Sequence, residues 1–221
     1  MSRREHIQQS SIVIPEPYVE CPFTNNAADI KGHLAWDNVV NVTFTNGCAN
    51  FNGSSSYLRS QKHIPFSKIK TVTYLVKFNV VPAVDAPSST WQALHYFQAY
   101  DYYNYAAYYS ILQNYSPESV GLTNNARSTS YSAANNTLTN SVGSTQAGVW
   151  YRITFRRNPN NTTDLWIDNL TRTVNASIPD NYSPDIIFGK LYPNNIRWLN
   201  GAIKDFRIWD IELTDEQIAA L

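Results

Sequence analysis

The last 23 residues, Leu199 to Leu221 (LNGAIKDFRIWDIELTDEQIAAL), constrain the fold more than any other stretch. They read as one core strand followed by a short capped helix. Gly201 opens the strand, where the missing Cβ lets the backbone turn. Phe206 and Ile208 then point to one face and Asp205, Arg207 and Trp209 to the other, because side chains alternate along a strand. Ile203 lies three residues before Phe206, out of that period, which predicts a β-bulge between them. Thr214 and Gln217 form a capping box, and Leu213 and Ile218 occupy the positions of a hydrophobic staple. A helix of about two turns does not hold in water alone, so this one is expected to dock through Ile218 and Leu221. No further domain is expected beyond it.

The same period of two recurs in short runs closed by turn signals, the pattern of a β-sandwich. Val72, Tyr74, Val76, Phe78 and Val80 share one face of a strand from Thr71 to Val80. Trp150 to Arg157 puts Tyr151, Ile153 and Phe155 inward. After a turn at Asn158 to Asn161, Asp164 to Asp168 puts Leu165 and Ile167 inward and Trp166 outward. Ile186 to Gly189 is another short strand. Val40, Val42 and Phe44 alternate in a run from Val39 to Thr45 that ends at the tight turn Asn46-Gly47. Ile12, Val13 and Ile14 suggest an edge strand closed by Pro15 and Pro17, which cannot donate to a ladder. Pro82 to Ser89 reads as a loop, and Ser116 to Gly148 as weak strands and long loops. Trp91 to Leu112 (WQALHYFQAYDYYNYAAYYSIL) carries aromatics on both faces and is expected to form one long strand, or a hairpin around Asp101 to Asn104.

Three of these elements carry a family resemblance. They are the closing pattern G-x-I-x-D-F-R-I-W-D-x-x-L-T-D-E-Q-I, the F-x-G-S-x-x-Y-L element from Phe51 to Leu58, and the Trp150 hairpin with L-x-I-D-N from Leu165 to Asn169. The chain resembles the laminin-G-like members of the concanavalin A-like lectin/glucanase superfamily over roughly residues 30–221. The resemblance implies an all-β fold, a two-sheet antiparallel jelly-roll sandwich with a short C-terminal helix. It would span residues 12–221, after a polar N-terminal arm of residues 1–11 that is mobile or used in contacts between subunits. Calcium at the sandwich rim, held by Asp and backbone carbonyls, is the cofactor the resemblance implies. Asp205 matches the Asp of the family's closing strand and is the metal candidate, with Asp29 and Asp37 as further acids; pairing of Asp205 with Arg207 or Lys204 is the structural alternative. The fold hosts lectins, adhesion modules and glycanases, so function has to be argued from the site.

Charge excludes some functions. Lys+Arg of 17 against Asp+Glu of 17 gives no net charge, which argues against electrostatic binding of nucleic acid or anionic membrane. No run approaches the roughly 20 apolar residues of a membrane span, and Met1 to Ser11 lacks the apolar run of a leader. The polar surface is rich in Asn, Ser and Thr, which suits an extracellular surface or a virus or phage particle. Sequons such as Asn41-Val-Thr43 are read as unmodified, and Cys21 and Cys48 as free thiols.

No enzyme motif stands out. A glycosidase needs two carboxylates across the scissile bond, and the E-x-D-x-x-E strand of related glycanases is not found. Glu212, Asp215 and Glu216 belong to the helix start, where acids favour the positive end of the dipole. Tyr96-Phe97-Gln98-Ala99-Tyr100-Asp101-Tyr102 loosely resembles the Y-F-K-A-G-x-Y element of jelly-roll alginate lyases, with Tyr as acid and His as base. Gln98 and Tyr100 replace its Lys and Gly, and Gln92 and His95 are one residue too far apart for its Q-x-H element. His6, His33, His63 and His95 are each read as surface or satisfied core residues rather than catalytic bases or metal ligands.

The aromatic stretch is the best candidate site. Sugars present flat C–H faces that stack on Tyr and Trp, while their hydroxyls bind amides and carboxylates. Trp91, His95, Tyr100, Asp101, Tyr102, Tyr103, Asn104, Tyr105 and Tyr108 supply both kinds of group, with Tyr109 beside them. The expectation is a non-catalytic glycan-binding or adhesion module whose partner is a carbohydrate or glycoconjugate. The alternatives are a structural particle protein, a decoration or fibre subunit that meets its own copies through the aromatic stretch, and a polysaccharide lyase or hydrolase.

Overall fold

The computed structural model describes residues 12–81, 92–101, 104–116, 119–127, 137–139, 145–160, 162–175, 180, 183–191 and 197–221; positions 96, 98–101, 104–116, 119–127, 137 and 139 are described by their backbone. The expected polar arm, residues 1–11, lies outside them. Two antiparallel sheets pack face to face, as the closing and hairpin motifs imply. Sheet A contains β1 (Val19–Cys21), β3 (Thr43–Thr45), β4 (Cys48–Asn52), β6 (Thr71–Phe78), β11 (Trp150–Arg157), β12 (Thr163–Ile167), β13 (Leu170–Val174) and β15 (Asn200–Trp209). Sheet B contains β2 (Asn38–Val40), β5 (Tyr57–Gln61), β7 (Gln92–Asp101), β8 (Asn104–Ser116), β9 (Ser119–Arg127), β10 (Thr137–Thr139) and β14 (Asp185–Phe188). Sheet A runs β13-β12-β11-β6-β15-β4-β3, with β1 also on β15; sheet B runs β10-β9-β8-β7-β14-β5-β2.

The closing strand organises sheet A. One side of β15 pairs with β6 throughout, while its other side pairs first with β4 and then with β1. The predicted bulge falls at the handover, between Lys204 and Arg207, where Asp205 takes φ 53°. Gly201 serves a different purpose from the one expected. It sits inside the strand, and a Cβ there would stand 2.2 Å from the Lys77 carbonyl oxygen, so glycine permits close strand approach rather than a turn.

The core lies between the sheets. Val72, Tyr74, Val76 and Phe78 of β6 and Ile153 and Phe155 of β11 meet Leu58, Leu94, Phe97, Ile186 and Phe188 from sheet B. Phe188 and Phe206 bridge the layers edge to face at 5.0 Å. His95 is part of this core and fully buried. Its Nδ1 lies 2.5 Å from the Tyr74 hydroxyl, and its ring meets Phe97 and Phe188 edge-on. Burial without a counter-charge pushes its pKa down to about 3, so the ring is neutral. Cys21 and Cys48 are buried free thiols, and burial raises Cys21 to about 12.

A second, smaller core covers the outer face of sheet A. Helix α1 (Asp215–Ala219) is one turn long and capped by Thr214 and Gln217 as predicted. Leu213 and Ile218 are buried there against Trp166 and Trp209, with Ile14 and Leu221 at the margin. Thr71 Oγ1 donates to Ile211 O and accepts from Leu213 N, fixing the lead-in to the helix. Arg156 bonds Asp164 on β12 and Asp215 on the helix, tying both to β11.

Four further expectations need correction. Residues 12–17 form no strand; with Pro15 and Pro17 unable to donate, the segment laps the helix instead. There Trp209 Nε1 donates to Pro15 O and Gln217 Nε2 to Val13 O. Residues 39–45 are two strands rather than one. Asn41, at φ 51°, turns the chain from β2 in sheet B to β3 in sheet A. Val80 lies past the end of β6 and is exposed. His95 belongs to the core rather than to a sugar-binding surface.

Candidate functional site

The aromatic stretch forms the expected hairpin. β7 and β8 pair from Gln92↔Leu112 to Asp101↔Asn104, with a bulge between Ala93 and His95. Tyr100 pairs with Tyr105, Tyr96 with Tyr109, and the buried Phe97 with Tyr108. Backbone alternation places positions 96, 98 and 100 on the sheet face opposite His95 and Phe97. Trp91, Tyr102 and Tyr103 lie outside the described residues. For Tyr100, Asp101, Asn104, Tyr105 and Tyr108 the structure gives the register, which groups them in one hairpin of sheet B.

The register carries this face to the neighbouring strands. Ile187 of β14 sits between Arg59 of β5 and position 96 of β7. In β5, Tyr57 and Arg59 alternate with the buried Leu58 and Ser60, so both face away from the core. Arg59 Nη2 donates to Asp185 Oδ2 at 2.7 Å, the carboxylate lying further along β14 on the same face.

Tyr57 is joined by Trp198 from just before β15; the ring centroids are 6.4 Å apart and tilted by 50°. The Lys190 ammonium stands 3.6 Å from the Tyr57 centroid and 5.6 Å from that of Trp198. Loss of solvent, reinforced by the Arg59 charge, holds Lys190 below the usual lysine range. The outer face of sheet B therefore carries two half-buried aromatic rings beside a lysine, an arginine and a carboxylate. Such a surface offers flat apolar contact next to charged hydrogen-bonding groups, as small-ligand sites do.

The sequence reading missed most of this cluster. Tyr57 was visible only as part of the F-x-G-S-x-x-Y-L element, and its i+2 neighbour Arg59 was the available local signal. Lys190, Trp198 and Asp185 come from other segments, and no spacing rule joins them.

Two of the acids proposed for a metal, Asp29 and Asp37, are held by hydrogen bonds of their own. Asp29 accepts four backbone N–H bonds, from Glu20 and Lys31 on Oδ1 and from His33 and Leu34 on Oδ2. These fill its lone pairs and leave no place for a cation. Asp37 takes bonds from Gln61 N and His63 Nε2, which, led by the Gln61 bond, lower its pKa. Asp205 stands at the β15 bulge and contributes to the field on Arg152. Among the described residues no three His, Cys, Asp or Glu converge as a metal site. No helix among them is long and apolar enough to cross a membrane.

Comparison with known proteins places this geometry in a family. Residues 52–219 match the profile of the "Concanavalin A-like lectin/glucanases superfamily". No curated protein matches the chain. Among solved structures, a Trypanosoma rangeli sialidase in complex with sialic acid superposes with TM-score 0.64 at 11% identity, covering 90% of this chain and 31% of the sialidase. The botulinum neurotoxin serotype G binding domain gives 0.62 at 16% identity, covering 93% of this chain and 50% of that domain. The botulinum neurotoxin serotype D ligand binding domain in complex with N-acetylneuraminic acid gives 0.57 at 13%, covering 92% and 50%. The chain thus spans about a third to a half of these structures, and identities this low speak for the fold alone.

Proposed function

The chain belongs to the concanavalin A-like lectin/glucanases superfamily, and from that premise we propose that it is a glycan-binding module that binds without catalysing. The observation that carries the reading is the outer face of sheet B, where Tyr57 and Trp198 stand beside Lys190, Arg59 and Asp185. A sugar ring lies with its C–H face on the Tyr57 and Trp198 rings, and its hydroxyls reach Asp185 and Arg59. The Tyr-rich hairpin of β7 and β8 extends the same sheet. The solved structures with bound sialic acid lend support to a carbohydrate partner on this fold.

A binding role is also supported by where ionisable groups are spent. His95, the base a lyase would need, is sealed in the core. Gln92 is a structural clamp, donating to Val80 O and accepting from Asn200 N. Asp215 bonds Arg156 at the start of the helix. An extracellular or particle surface remains the setting that suits the weakly charged exterior.

A glycan array with the full chain tests the reading, run with calcium and with a chelator because Asp205 is the cation candidate the family implies. Binding that is lost in Tyr57→Ala and Trp198→Ala, with the melting temperature kept, is the expected result. No binding to any glycan, with the chain eluting as an oligomer, would overturn it in favour of a structural particle subunit.

A further inference from the structure

The opposite face of the sandwich carries a separate cluster. Trp150 of β11, Lys77 of β6 and Lys204 of β15 come from three adjacent strands of sheet A. Trp150 pairs with Lys77, Lys77 with Ala202, and Lys204 stands one row along. The Lys77 ammonium lies 5.0 Å from the Trp150 ring centroid and that of Lys204 lies 4.7 Å from it. All three residues are half-buried.

Several other cations set over rings in this protein also hold a carboxylate. Arg156, over Trp166, bonds Asp164 and Asp215. Arg157, over Phe66, pairs with Asp180, and Lys68, over Tyr18, pairs with Asp210. Among the described residues neither Lys77 nor Lys204 has an acidic partner. Of the neighbouring arginines, Arg207 pairs with Glu20, and Arg152, held down by burial and by the Arg207 charge, also feels Asp205 and Asp168. Lys77 and Lys204 thus bring positive charge to the Trp150 end without an acid beside them among the described residues. Both ammoniums stand about 5 Å from one indole centroid, and an oxyanion bound at that ring would be attracted to each of them.

We propose that Trp150, Lys77 and Lys204 form a second site, for a sugar ring bearing an oxyanion, either a sulfate ester or a carboxylate. The two ammoniums hold the oxyanion, and the exposed part of the half-buried indole takes the apolar C–H side of the ring. A zero net charge and the confinement of the cluster to one end of sheet A favour a saccharide over a nucleic acid, whose backbone needs a longer basic track. The site stands on its own contacts and does not depend on the sheet B reading.

The test is calorimetric titration of the full chain with three disaccharides: a sulfated chondroitin disaccharide, its unsulfated uronate parent, and lactose. Inorganic sulfate serves as competitor. At least one of the two anionic sugars is expected to bind, and to bind about tenfold or more weakly in the Lys77→Gln/Lys204→Gln double variant. Glutamine keeps much of each aliphatic stem, and an unchanged melting temperature checks the fold. Tyr57→Ala, which removes the sheet B site, is expected to leave this binding intact. The proposal is overturned if neither anionic sugar binds, or if the double variant binds as well as the parent. It also fails if Tyr57→Ala abolishes the binding, or if, with the sheet B site removed by Tyr57→Ala, lactose or inorganic sulfate binds as tightly as the anionic sugars.

Discussion

The two outer faces of the sandwich use similar side chains to different ends. On sheet A, Trp166 and Trp209 are 8% and 1% exposed, because α1 and the Ile14 segment lie across them. On sheet B, Tyr57 and Trp198 stay half-buried beside Lys190, Arg59 and Asp185. An aromatic on an outward strand position is structural when an apolar segment of the same chain reaches over it. It becomes a ligand surface when its neighbours are charged groups that need water or a polar partner. The difference lies in what covers each ring, and residue type alone does not reveal it.

Trp209→Ala would break the covered side most strongly. Removing a buried indole that also donates to Pro15 O should lower stability by about 3–5 kcal/mol in urea denaturation. Glycan affinity of the folded fraction at the sheet B site should hold, since the change lies on the opposite face. A loss of binding would mean that the faces are not independent.

Acid acts beneath both faces through His95. Its folded pKa of about 3 lies below the ordinary value of 6.5, so protons bind the unfolded chain first. Stability from this group is whole above pH 6.5 and is lost as pH falls towards 3, by roughly 4 kcal/mol. The salt-bridged Asp164 and Asp180, also held below their ordinary values, add losses of the same sign at lower pH. In His95→Gln, which keeps an acceptor for Tyr74, urea midpoints between pH 6 and 4 should fall less steeply than in the parent. Parallel pH curves would remove His95 as the cause.

Thr214→Ala removes the helix cap and should cost about 1 kcal/mol. That figure measures how much the cover depends on its cap, and sugar binding should not change. Tyr57→Ala should change stability least, by under about 1 kcal/mol for a half-buried side chain. It should lower glycan affinity at least tenfold, so stability and binding respond in opposite order on the two faces. Equal responses on both faces would end the comparison.

Local elements were legible because neighbours in sequence decide them. The capping box at Thr214 and Gln217, the staple at Leu213 and Ile218, and the turn at Asn46-Gly47 each depend on contacts within a few residues. The alternation of β6, β11 and β12 is likewise a local record of which side is buried. The Ile203–Phe206 phase break announced the bulge before any partner strand was known.

By itself, then, the sequence determined the fold class, the strands with one buried face, and the form of the closing strand and helix. Tertiary structure alone decided that Asn41 carries the chain between sheets, that His95 is sealed against Tyr74, and that residues 12–17 cover the helix. It also decided which charges meet which rings. Tyr57, Lys190 and Trp198 lie in three segments, as do Lys77, Trp150 and Lys204. Strand order and register bring such residues together, and those follow from how two whole sheets close over one core. No short-range pattern encodes that closure.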